Sequence, residues 1–193
     1  MAEQPALELR DLRHTFNEGT ANEVRALRGV DLAMEPGAFV VVLGFNGSGK
    51  SSLLNAVAGT LIPAHGEVLV HGEDVTKWPE HRRAGLVGRV FQDPLRGTAP
   101  RLTIAENLAL AMQRGRRWPD LRRALSRARR EAIAERVREL GMGLEDRLDT
   151  PIGALSGGQR QALTLLMATL VSPRILLLDE HTAALDPKSA EMV

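Results

Sequence analysis

The sequence predicts an α/β fold: a mostly parallel sheet with a helical subdomain inserted into it. Residues 39–44, FVVVLG, are a short continuous apolar run rich in β-branched residues, the pattern of a strand buried on both faces. Residues 175–179, ILLLD, repeat that pattern further along. Between them, from about Ile104 to Leu140, the chain is rich in Leu, Ala, Arg and Glu and reads as helix. The 193 residues, 44% of them hydrophobic, suffice for one domain with a sizeable core.

Taken in order, residues 7–12 (LELRDL) and 27–34 (LRGVDLAM) alternate apolar with polar and read as half-buried strands, punctuated by Asn22 and Gly29. Pro36-Gly37 predicts a turn before the buried run at 39–44. Apolar residues at helical spacing predict a helix from Lys50 to about Ala58. Residues 66–75, GEVLVHGEDV, read as a strand and its turn, and 85–91, GLVGRVF, as another strand. The helical stretch holds TIAENLALAMQRG and an arginine-rich helix, LRRALSRARREAIAERVREL, with Pro119 between them. A helix from about Gly157 then leads through Pro173 to the last strand.

Bulk properties narrow the function. A net charge of +1 provides no global field for nucleic acid or membrane. Without cysteine there is no disulfide framework, thiolate metal site or thiol nucleophile. The first residues, MAEQPALELRDLRH, lack a basic then apolar signal pattern, and no apolar stretch approaches the roughly 20 residues of a membrane span. The expectation is a cytoplasmic chain that meets a membrane through a partner. In the arginine-rich helix, Glu131, Glu135 and Glu139 interleave with the arginines and no aromatics do, so a solvated charged face is expected and nucleic acid is not.

Gly44-Phe45-Asn46-Gly47-Ser48-Gly49-Lys50-Ser51 fits G-x-x-x-x-G-K-[ST] between a predicted strand and a predicted helix. Such a loop wraps backbone N–H groups around β- and γ-phosphates, Lys50 adds a cation, and the Ser51 hydroxyl can ligate Mg²⁺. Asp179 ends a buried strand at its carboxyl edge, where it can hold Mg²⁺ through water. Glu180 beside it could polarise an attacking water. Alone, this carboxylate pair could equally be a solvated loop start. Ser156-Gly157-Gly158-Gln159 opens a helix and forms a second anion-binding end, for the same ligand or another.

GFNGSGKS, FQDP, LSGGQ, ILLLDE and AALD, in that order, resemble the ATP-binding cassette (ABC) ATPases over essentially the whole chain. The resemblance implies a P-loop NTPase (RecA-like) fold with N-terminal antiparallel strands, ATP and Mg²⁺ as cofactors, and head-to-tail dimers. It divides the chain into an N-terminal β subdomain and P-loop core (1–92), a helical subdomain (93–155), and a signature helix with Walker B strand and D-loop (156–193). Gly44, Phe45, Asn46, Gly47, Ser48, Gly49, Lys50, Ser51 and Ser52 would hold phosphates and Mg²⁺. Gln92 would contact Mg²⁺ and the attacking water, with Asp179 as metal carboxylate, Glu180 as base and Asp186 in the dimer-spanning loop. Ser156, Gly157, Gly158 and Gln159 would reach the nucleotide of the opposite cassette. Phe16, with Val24 beside it, suits an adenine platform and a core position equally.

The same resemblance implies a second ATPase subunit, transmembrane permease subunits docking near Asp93, Pro94 and the LRGTAP loop, and a solute-binding protein. The expected role is to power uptake, of amino acids or other small solutes, from the inner face of the membrane. Two departures stand out. His181 occupies a place where the family usually has Pro, and reads as a local variant. The strand bearing the family's switch histidine does not follow AALD, so an incomplete cassette is expected. The alternative is a nucleotide-binding or dimerisation module without turnover.

Overall fold

A computed structural model of the chain describes residues 4–115 and 125–179. The chain divides at Val87/Gly88 into two compact units.

In the first unit, β1 (Leu7–Phe16), β2 (Val24–Met34), β3 (His65–Val70) and β4 (Glu73–Asp74) form an antiparallel sheet of order β2-β1-β3-β4. Leu7 pairs with Met34 and Phe16 with Val24, and the register shifts between Leu9 and Leu12. At that bulge Asp11 has φ 44° and Gly29 φ 87°. A Cβ on Gly29 would stand 2.9 Å from Asp11 Oδ1, so the bulge leaves little room for a side chain there. The 66–75 segment is a hairpin turning through His71 (φ 47°) and Gly72 (φ 75°), the positive pair that two-residue hairpins favour. Leu7, Leu9, Leu12, Val68 and Val70 are buried from this sheet, and α1 (Lys50–Ala58) buries Ala56, Val57 and Ala58. Each fully buried Leu or Val side chain contributes about 2 kcal/mol of transfer free energy.

A short helix, α2 (Glu80–Arg83), ends in a fully buried arginine. The Arg83 guanidinium donates to the carbonyls of Ala56 (2.6 Å), Val57 (3.0 Å), Thr76 (2.6 Å) and Trp78 (3.0 Å). It thereby satisfies the end of α1 and ties it to the 76–78 loop. Burial pushes its pKa down to about 10, which leaves it charged at neutral pH.

Residues 39–44 depart from expectation. They form no strand among the described residues, and Phe39 (82% exposed) and Leu43 (87%) face solvent. A run buried on both faces needs a paired strand on each side. The pattern supplies only one side of each pairing, and no described strand pairs with this segment.

The second unit joins β5 (Val87–Val90) and β6 (Ile175–Leu178) in a two-stranded sheet. Its helices are α3 (Ile104–Ala111), α4 (Arg127–Arg138) and α5 (Gly157–Thr169). Their core gathers Ile104, Leu108, Ile133, Val137, Leu144, Ile152 and Leu163. α3 opens with a Thr103–Glu106 capping box. Buried Asn107 holds the preceding loop: its amide donates to the carbonyls of Ala99, Leu102 and Thr103, and its oxygen accepts from Ala99 N at 2.8 Å. α4 turns only Ile133 and Val137 fully inward and carries Arg127–Glu131 (3.0 Å) and Arg136–Glu139 (3.2 Å) pairs outside, the solvated face expected of it. The expected helix over 121–140 is described from Arg127; Pro119 and the rest of 116–124 lie outside the described residues.

Candidate functional site

The loop from Gly44 to Gly49 is a turn in which Ser48 N donates to Phe45 O at 3.1 Å, with Gly47 at φ 81° and Gly49 at φ 97°. Only glycine fits at 49. A Cβ there would lie 2.4 Å from the Ala26 carbonyl oxygen, in a backbone region that side chains avoid. At Gly44 a Cβ would meet Ser48 Oγ at 2.5 Å. Gly49 is also the N-cap of α1, where no side chain caps the helix and no acidic residue occupies the first turn. The positive end of the helix dipole is thus open to an anion. Lys50 Nζ donates to the carbonyls of Gly44 (2.7 Å) and Phe45 (3.0 Å), folded over its own loop within reach of such an anion. Phe45, Asn46 and Ser51 are exposed, and Ser52 is half-buried. Glycine cradle, open helix end and ammonium together fit a polyphosphate.

Phe16 and Val24 are register partners where β1 and β2 meet their connecting segment, residues 17–23, and both are exposed. The His14 ring meets the Phe16 ring edge-on, centroids 4.6 Å apart. Phe16, 40% exposed, is therefore not a core residue.

In the second unit, Gln92 follows β5 and Asp179 follows β6. Asp179 N donates to Val90 O at 3.2 Å, so the two side chains sit at one end of the sheet, with Gln92 two residues beyond the paired Val90. The Asp179 carboxylate lies 3.5 Å from Arg89 Nη2 and is 22% exposed, accessible to a cation at the strand tip. Ser156 and Gln159 close the start of α5 with a capping box: Ser156 Oγ accepts from Gln159 N at 3.2 Å, and Gln159 Oε1 accepts from Ser156 N at 3.1 Å. At Gly157 a Cβ would meet no atom within 4 Å. Gly158 follows in the first turn of α5. Asp93 accepts from Leu95 N at 2.9 Å and shapes the turn Pro94–Gly97. Glu180, His181 and Asp186 lie outside the described residues.

Sequence reasoning missed Arg83 and Arg89. A charged residue within the apolar run GLVGRVF was the available signal for Arg89; nothing local distinguishes Arg83 from its neighbour Arg82.

These features define an α/β P-loop NTPase with a glycine-rich phosphate loop and a separate Ser-Gly-Gly-Gln helix start. The ABC transporter family model matches residues 27–183, and the chain belongs to that family as an ABC-type ATPase. It is 38% identical over 187 residues to a tyrosine transport ATP-binding protein of Clostridioides difficile, covering 97% of this chain and 74% of that one. It is 36% identical over 196 residues to the lipoprotein-releasing system ATP-binding protein LolD of Roseobacter denitrificans, covering 98% of this chain and 80% of LolD. Among solved structures, a dimeric ATP-binding cassette in a post-hydrolysis state, bound to ADP and Pi, superposes with a TM-score of 0.80 at 29% identity, over 96% of this chain and 78% of that one. ABC cassettes bind ATP, dimerise and pair with transmembrane subunits. No helix among the described residues is long and apolar enough to cross a membrane.

Proposed function

We propose that this chain powers the uptake of a small solute, an amino acid or a molecule of similar size, through ATP-driven closure of two cassettes. The observation that carries its nucleotide chemistry is the uncapped start of α1 behind a loop in which Gly49 admits no side chain. Backbone N–H groups of 44–52 and the Lys50 ammonium bind the phosphates, and the exposed Phe16–Val24 pair carries the adenine. Mg²⁺, when bound, neutralises the β- and γ-phosphates, and Ser51, Gln92 and Asp179 would hold it. Gln92 also orients the attacking water and Glu180 takes its proton. Ser156, Gly157, Gly158 and Gln159 serve the nucleotide of a second copy of the chain, and Asp186 belongs to the loop between the two. The open space at Gly157 supports this, because nothing among the described residues requires glycine there.

The proposed assembly is a homodimer on permease subunits at the inner face of the membrane, fed by a solute-binding protein. Asp93 and the LRGTAP loop form the permease contact, and the boundaries near 92 and 155 mark the helical subdomain between core and signature. The relative concerned with tyrosine transport supports an amino-acid cargo. Glu180→Gln should give an ATP-dependent dimer by light scattering, and cells lacking the chain should lose uptake of labelled tyrosine. A variant that stays monomeric with ATP overturns the paired-cassette reading; undiminished uptake overturns the cargo.

A further inference from the structure

Arg89 is the one charged residue of β5, whose sequence is VGRV. Its side chain is 11% exposed, and a guanidinium so placed costs several kcal/mol unless its charge is matched. The Asp179 carboxylate, 3.5 Å away, matches it. The guanidinium also lies over the Phe91 ring, 4.6 Å from its centroid, with Arg96 near the same ring at 5.7 Å. Arg89 is thus held at Asp179 by stacking as well as by charge.

We propose that Arg89 is a built-in counter-cation for the metal carboxylate: it holds Asp179 when no divalent ion is bound and competes with the ion for it. The inference rests on the reading of Asp179 as a metal ligand. A carboxylate neutralised by a held guanidinium attracts a divalent ion less than an unpaired one, and the approaching ion also meets the fixed positive charge. Arg89 therefore raises the Mg²⁺ concentration needed to bring metal and nucleotide together. It acts on the metal through Asp179, as a positioning residue.

The experiment measures binding of a fluorescent ATP analogue to the full chain, first in EDTA and then across a Mg²⁺ titration. Arg89→Met should lower the half-saturating Mg²⁺ by roughly tenfold while leaving affinity in EDTA unchanged. Arg89→Lys, which keeps the charge, should stay near the wild-type requirement. Arg89→Gln removes the charge but keeps a hydrogen-bonding group, and carries the same expectation as Arg89→Met if the methionine variant does not fold. An unchanged or higher Mg²⁺ requirement in the neutral variants overturns the inference. A wild-type chain that fails to bind the analogue under any condition overturns the nucleotide-site reading instead.

Discussion

Helices α1 and α5 end alike and begin differently. Each C-terminus is held by an arginine from elsewhere in its unit, fully buried in the case of Arg83 and half-buried in that of Arg114. Arg83 donates to Ala56 and Val57 of α1, and Arg114 donates to Ala168 at the end of α5 at 2.7 Å and to Val171 at 3.3 Å. Burial lowers the pKa of both arginines. The N-termini are opposites. α1 starts from a left-handed glycine with no side-chain cap, while Ser156 and Gln159 bond each other's backbone N–H at the start of α5. One helix start is uncapped, and the other is closed by its own side chains. A second contrast runs parallel to this one. Gly49 is required by its own chain, whose Ala26 carbonyl leaves no room for a Cβ, whereas Gly157 faces open space.

The largest effect on nucleotide binding should come from breaking the open end. Gly49→Ala places a methyl group against the Ala26 carbonyl and forces the loop apart. It should cost about 1–3 kcal/mol in backbone strain and lower nucleotide affinity by at least roughly a hundredfold. Thermal denaturation and calorimetric titration with ATP measure the two; near-normal affinity would remove the phosphate-loop assignment.

Next comes the shared end. Arg83→Met leaves the carbonyls of Ala56, Val57, Thr76 and Trp78 without their donor, and about 3–5 kcal/mol of stability should go. Urea unfolding followed by tryptophan fluorescence reads it, and a loss below about 1 kcal/mol would mean that water replaces the guanidinium.

The smallest effects belong to α5. Ser156→Ala removes one arm of the capping box and should cost about 1 kcal/mol without changing ATP affinity of the monomer. Gly157→Ala should leave stability within about 0.5 kcal/mol of wild type, because its Cβ meets nothing. The same variant should impair ATP-dependent dimerisation on size-exclusion chromatography. Unimpaired dimers would detach Gly157 from the second cassette and leave the comparison with Gly49 a matter of local packing alone.

Much of this was legible in the sequence. The bounds of α1, the start of α5 at Gly157, the Pro36-Gly37 turn and the 66–75 strand and turn follow from periodicity, glycine and capping chemistry, all of which act over a few residues. So does the spacing of the phosphate loop. These features are local because a helix start or a tight turn is settled by neighbours in the chain.

Tertiary structure decided the rest. Nothing local tells that Arg89 meets Asp179 some ninety residues later, that Arg83 rather than Arg82 is buried, or that Asn107 holds the 99–103 loop. Arg82 instead stacks on Trp78 at 3.7 Å and stays at the surface. The run at 39–44 shows the same limit from the other side. Its composition suits a strand buried on both faces, yet burial depends on which strands pair beside it, and in the described residues none do. By itself the sequence determined the glycine-rich turn before α1, the helices that begin at Lys50 and Gly157, and the family; only the tertiary structure decided which charges meet and which helix end stays open, because those depend on groups brought together from distant parts of the chain.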